Sequence, residues 1–331
     1  MKRKKSIIIM LFAVFLLAMA TASASEDAAQ ADLSKNNETL DDNPQTCDEN
    51  VELTLGDSEN DFIEDTGKFS ELSKEIGSGG NKTLKHKNYV YDIGSTIVIT
   101  VDNSVIDGNG SVIDMSESTF LMFRVDASGV TIKNLTIKNS NRLDYADGIF
   151  QFMRSGTLIN CNFINNTAYG NTCGPISFLN SGTVVNCTFV NNAACDSYSG
   201  GGALYFEGFG TVINCRFVNN TAVGGNGGAV HFHGSGNVTD CSFANNRVNS
   251  TNYGGGAVYF RGQGFVGNSV FSNNTSNSTY GGGGAIYFDD SATVINCGFV
   301  NNFANSTEFG DGGAIFILGS GIVENCTFIN M

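Results

Sequence analysis

From residue 160 onward the chain repeats a single alternation of apolar and polar positions. The phrase Asn-Cys-x-Phe-x-Asn-Asn occupies residues 160–166, 186–192, 214–220 and 296–302. It also returns at 240–246 with Asp at its head and at 268–274 with Ser in place of Cys. A further copy opens at Asn325, a weaker one spans 134–139, and successive copies begin 26 to 29 residues apart. A second phrase, Gly-Ala followed by an aliphatic, an aromatic and a Phe or Ile, ends at Phe206, Phe232, Phe260, Phe288 and Ile317. Each of these ends lies eight residues before the next Asn or Asp, whereas the stretch from Asn192 to Phe206 is fourteen residues and that from Asn220 to Phe232 twelve. Length variation is thus confined to one connection per repeat, as a stacked coil requires if its strands are to stay in register.

Each repeat predicts three short strands of period two: Ala-Ile-Tyr-Phe, Thr-Val-Ile after a Gly turn, and Cys-x-Phe. One inward column reads Leu204, Val230, Val258, Ile286, Ile315, and another Phe206, Phe232, Phe260, Phe288, Ile317. A third runs Phe163, Phe189, Phe217, Phe243, Phe271, Phe299, Phe328. Like residues then stack at about 4.8 Å per coil, and a core forms that no single coil could bury. The recurrent Asn suits left-handed corners, and the paired Gly at 201–202, 227–228 and 255–256 suits a sharp turn into the first strand. No ten-residue helical stripe follows residue 90, which excludes a helical solenoid. The chain therefore reads as all-β, a solenoid over 84–331. Residues 69–83 form an N-terminal capping segment in which Phe69, Leu72 and Ile76 share one helical face.

Charge changes the picture mainly upstream. The chain has 331 residues and a formal charge of −14, and residues 26–76 hold sixteen acidic and three basic side chains. Residues 25–68 read as an acidic disordered linker. Residues 1–24, with Lys-Arg-Lys-Lys before an apolar run and Ala-Ser-Ala, read as a secretory signal peptide. The expected location is accordingly secreted or at the cell surface. A pI near 4.5 argues against a nucleic-acid partner. Much of the Gly, 41 residues beside 2 Pro, is accounted for by the repeat, with no collagen period.

These phrases resemble two families. The Gly-Gly-Ala-[Ile/Leu/Val] and Phe-x-x-Asn pairing is similar to the repeat of chlamydial polymorphic outer-membrane proteins. Asn186-Cys-Thr-Phe-Val-Asn-Asn192, the signal peptide and Asp107-Gly-Asn-Gly110 resemble adhesin-like surface proteins of methanogenic archaea. Both resemblances imply a right-handed, single-stranded parallel β-helix exposed at the cell surface, and they cover residues 69–331. The chain stops inside a repeat, where those families continue into further coils or an attachment region.

A β-helix hydrolase needs paired carboxylates, and the candidates are Asp144 with Asp147, and Asp289-Asp290, whose expected neighbours are Glu207, Gly234 and Ser291. Neither pair forms a stacked carboxylate cluster, and no basic pair suits a lyase. The expectation is a non-enzyme without cofactor or metal, the alternatives being a polysaccharide lyase or hydrolase and a purely structural spacer. His231 and His233 with Glu207 could at most suggest a metal site; His231 fits better in an outward aromatic column.

That column, Tyr205, His231, Tyr259, Tyr287 and Phe316, is expected as an exposed strip for binding a cell-surface glycan or protein. The variable loops 193–199, 247–253, 275–281 and 303–311 lie beside it. Asn249, Asn277 and Asn305 are glycosylation candidates in those loops. Cys161, Cys187, Cys215, Cys241, Cys297 and Cys326 form a column of free thiols, while Cys173 and Cys195 are the disulfide candidates. The open last coil is expected to favour self-association.

Overall fold

The computed structural model describes residues 65–331 apart from 93–94, 117–120, 143–147, 171–173, 196–199 and 309. The signal-peptide region, most of the acidic linker, and Asp144 and Asp147 lie outside the described residues.

The described chain winds into a parallel β-helix. Strands ending the Gly-Ala phrase stack as a nine-stranded sheet from Ile97–Ile99 to Ile315–Ile317. The Thr-Val-Ile and Cys-x-Phe strands belong to one nineteen-stranded sheet, joined through the long strands Val105–Asp114 and Val130–Lys138. The pairing keeps like on like: Leu204 faces Val230, Val212 faces Val238, and Phe217 faces Phe243. The resulting Phe stacks are close to parallel, with centroids 4.7 Å apart for Phe189–Phe217 and Phe217–Phe243. All the inward columns are buried in one continuous core up to the final coil, where Ile315, Ile317 and Phe328 are only partly covered or exposed.

A fourth strand was not anticipated. Thr167–Tyr169, Ala193–Cys195, Thr221–Val223, Arg247–Ser250, Thr275–Ser278 and Phe303–Ser306 stack with Asn141–Arg142 as a seven-stranded sheet. The variable loops therefore begin as ladder and become variable only beyond it. Their Thr, Asn and Ser residues gave no apolar alternation by which to recognise a strand.

Asn earns its recurrence through backbone shape and amide pairing. Asn160, Asn186, Asn214, Asp240, Asn268 and Asn296 have φ of 50–56°, as do the first residues of the Asn pairs, such as Asn191 and Asn219 (54° each). Among residues with a Cβ, Asn and Asp tolerate this region best. The corner amides link coils, with Asn214 Nδ2 donating to Asn186 Oδ1 at 2.8 Å. The second Asn of each pair is buried. Asn220 Nδ2 donates to Asn246 Oδ1 at 3.0 Å and to the Phe189 carbonyl at 3.1 Å, so a polar file crosses the interior with its donors satisfied.

The paired glycines have a different reason from the expected one. Gly202 and Gly228 do not have positive φ. A Cβ on Gly202 would lie 2.1 Å from the Gly228 carbonyl oxygen, and one on Gly228 would lie 1.9 Å from that of Gly256. Close passage of backbone over backbone, rather than a sharp turn, excludes every other residue.

Parallel pairing also starts earlier than residue 84. Thr66–Lys68 pairs with Asn88–Val90, and Asn81–Thr83 pairs with Val105–Asp114. The helix Phe69–Ile76 lies between these strands and buries Phe69, Leu72 and Ile76, the three residues its periodicity selects.

Candidate functional site

The column Tyr205, His231, Tyr259, Tyr287 and Phe316 forms in register as expected. Tyr259 stacks on Tyr287 and Tyr287 on Phe316 at 5.1 Å, while His231 stands edge-on to Tyr205 and Tyr259. Its exposure is the correction. Tyr205, His231, Tyr259 and Tyr287 are buried, with at most 5% of their surface accessible, and only Phe316 is half-buried. The glycine-rich segments pack against this strand. A Cβ on Gly201 would lie 2.7 Å from His231 N, and one on Gly255 2.9 Å from Tyr287 N. Tyr253 adds a ring 5.3 Å from Tyr287. Period two reports the side of a strand a residue takes, not what later covers it.

What reaches solvent is the next position on the same side. Glu207, His233, Arg261 and Asp289 follow the four Phe-ended strands, one per coil, and form a polar rim along the buried aromatics. Tyr205 donates its hydroxyl hydrogen to Glu207 Oε2. His233 Nδ1 lies 3.3 Å from Glu207 Oε1, and Arg261 Nη1 donates to His233 Nε2. Tyr259 donates to Asp289 Oδ2 at 3.2 Å and Tyr287 to Asp289 Oδ1 at 3.5 Å. Burial, reinforced by the Asp289 carboxylate, holds both phenols well above their ordinary pKa, so each stays a neutral donor. Residues 150–300 contain nine Asp, Glu, Lys and Arg in all, and the rim and its neighbour Asp290 hold four of them, Glu207, Arg261, Asp289 and Asp290.

The expected neighbourhood of Asp289 is therefore revised: Arg261, His233 and Glu207 line up with it, rather than Gly234 and Ser291. The residue directly after each Gly-Ala phrase was the signal that would have found this row. His231 lies within the aromatic stack, whereas His233 lies on the rim beside Glu207 and Arg261. Among the described residues no group of three or more His, Cys, Asp or Glu converges.

Tyr253 and Tyr280, which sequence reasoning passed over, connect the rim to the loop tips. Their rings are 6.1 Å apart, and Tyr280 is exposed. Asn249, Asn277 and Asn305 sit in the fourth-strand ladder rather than in free loops, with Asn277 Nδ2 donating to Asn249 Oδ1 at 3.1 Å. Asn305 is exposed, whereas the other two are half-buried. The thiol column is free and buried, except that Cys326 is half-buried. Cys195 is disulfide-bonded, and Cys173 lies outside the described residues.

The described residues thus form a stack of parallel coils, a β-helix, with a charged rim along one outer face. The family model for the right handed beta helix region matches residues 76–248, and the chain belongs to that family. The Chlamydia polymorphic membrane protein repeat matches residues 268–289. Among solved structures, PfbA, a surface adhesin of Streptococcus pneumoniae, is similar over 79% of this chain and 87% of its own. Its 11% identity and TM-score of 0.27 are too low to support an argument. No curated protein matches the sequence.

Proposed function

We propose that this chain is an exported, adhesin-like surface module, of the kind its repeats resemble in methanogenic archaea, and that it binds cell-surface glycans or proteins. The observation that carries this reading is the rim Glu207, His233, Arg261 and Asp289, bordered by Tyr253 and the exposed Tyr280. It offers charged donors and acceptors beside an accessible ring, on a scaffold whose stacked core holds them rigidly. The match to a membrane-protein repeat and the signal-peptide pattern support a place at the cell surface. The buried Tyr205, His231, Tyr259 and Tyr287 would act beneath the rim, by orienting Glu207 and Asp289.

A glycan and cell-surface protein array tests this. Arg261→Ala and Tyr280→Ala are expected to weaken binding by about tenfold or more, which corresponds to about 1.4 kcal/mol. Ile159→Ala, on another face, should leave binding unchanged. Unaltered binding in both rim variants would remove the rim from the reading, and release of reducing ends or unsaturated sugars from a polysaccharide would turn it toward an enzyme.

A further inference from the structure

The Cys column is not explained by the rim, and the fold does not require sulfur there. Ser269 occupies the same place in one coil. Its Oγ donates to the Gly267 carbonyl at 2.8 Å and accepts the Cys241 N–H at 3.1 Å. Cys187 does the same with sulfur, donating to the Val185 carbonyl at 3.2 Å and accepting the Cys161 N–H at 3.3 Å. Oxygen therefore satisfies the local hydrogen bonds and burial, yet six positions carry a free thiol.

The coil repeat gives those thiols a specific geometry. Phe217 and Phe243, two residues beyond Cys215 and Cys241, stack at 4.7 Å. The rings beyond Cys161 and Cys187 stack at 5.3 Å and those beyond Cys297 and Cys326 at 5.0 Å. The strand spacing of about 4.8 Å separates equivalent sulfurs on neighbouring coils, far beyond an S–S bond of about 2 Å. It is close to twice a metal–thiolate bond of about 2.3 Å, so two neighbouring sulfurs can hold one cation between them in line. Each neighbouring pair has a backbone N–H aimed at one sulfur, Cys161 N to Cys187, Cys187 N to Cys215, Cys215 N to Cys241, and Cys297 N to Cys326, at 3.3–3.4 Å. These donors stabilise thiolate charge. Two thiols per cation fill the run of four as Cys161 with Cys187 and Cys215 with Cys241. Zinc, which takes four ligands, finds no third or fourth donor among the described residues. A soft cation satisfied by two thiolates does find its donors.

We propose that the Cys column binds soft monovalent cations of the copper(I) class, each held between two adjacent coils by Cys161 with Cys187, Cys215 with Cys241, or Cys297 with Cys326. Ser269 separates the last pair from the others. Binding forms two metal–sulfur bonds and breaks two S–H bonds, whose protons pass to solvent; nothing is oxidised or reduced. Each ligand binds as a thiolate, so the cation displaces the thiol protons and affinity rises with pH.

The test is titration of the full chain, its disulfide left intact and oxygen excluded, with silver(I) as the probe. Bound metal is read by native mass spectrometry, coordination by X-ray absorption, and proton release by pH-stat. Two sulfur neighbours and two protons released per column-bound silver are expected. Cys215→Ser should lower the bound silver by one, and Cys215→Ser with Cys241→Ser by the same one, because the second thiol has already lost its partner. Ser269 indicates that the fold accepts these changes. A loss of two in the double variant, one proton per silver, or three or more sulfur neighbours would each overturn the proposal. Proton release and coordination are measured on the unaltered chain, so they decide the matter even if a variant fails to fold.

Discussion

The two ends of the described solenoid treat the same kind of core differently. At the N-terminal end the helix Phe69–Ile76 closes the stack, and Phe69, Leu72 and Ile76 are fully buried. Polar bonds fix it: Lys68 N–H donates to Glu71 Oε2 at 2.8 Å, Ser70 Oγ to Asp92 at 2.6 Å, and the Tyr89 hydroxyl to Glu75 at 2.7 Å. In the last coil Ile322 and Phe328 remain 53% and 46% exposed, and an apolar hollow opens among Ala314, Ile315, Ile317, Val323 and Phe328. Phe328 is in register with Phe299, yet only Phe299 has a neighbour on both sides. A residue's column fixes its identity, and its coverage decides its energetic weight.

The largest test of that difference is substitution within one column. Phe217→Ala, in mid-stack, and Phe69→Ala, in the cap, should each lower unfolding free energy by about 3–5 kcal/mol, measured by denaturant titration. Phe328→Ala should lower it by about 1 kcal/mol or less, since much of its ring already meets water. Equal losses at Phe217 and Phe328 would show that the two ends are not distinguished by coverage.

Association is the next test. We propose that the 331-residue chain by itself self-associates through the last coil, where apolar side chains and unpaired strand edges coincide. Sedimentation should show mass rising with concentration. Ile322→Lys with Phe328→Lys should suppress the rise, while Glu71→Lys at the covered end should not. A concentration-independent monomer would remove the asymmetry from solution behaviour.

Acid should produce the smallest effect, confined to the first coils. Asp107 and Asp114 are partly desolvated, which raises their pKa, but hydrogen bonds from Asn134 and Ser116 and ion pairs with Lys133 and Lys138 outweigh this and hold both below the ordinary carboxylate value. Their stabilisation is present above that ordinary value, about 3.9, and is lost as pH falls below it through the depressed folded value. Asp114→Asn should flatten the slope of stability below about pH 4 by well under 1 kcal/mol, since the Lys138 pair is partly exposed. A slope unchanged by the substitution would place the acid sensitivity elsewhere.

Much of this molecule was legible because a parallel stack turns sequence period into spatial register. The Phe columns, the left-handed Asn corners and the helical face of Phe69, Leu72 and Ile76 each follow from a local rule. The fourth strand was not legible, because Thr275–Ser278 pairs through its backbone and carries no apolar alternation. Nor was the rim, since Glu207, His233, Arg261 and Asp289 share no chemistry along the sequence and become a set only through stacking. The aromatic column was legible as a column and misread as a surface.

The sequence by itself determined the coil, because a repeat with fixed strand spacing and one variable connection can bury its Phe residues only by stacking. Tertiary structure alone decided depth and neighbourhood: which side chains the glycine segments cover, which charges meet, and how far apart the thiols stand. Those depend on contacts between residues 26 to 31 positions apart, brought together by backbone pairing between coils.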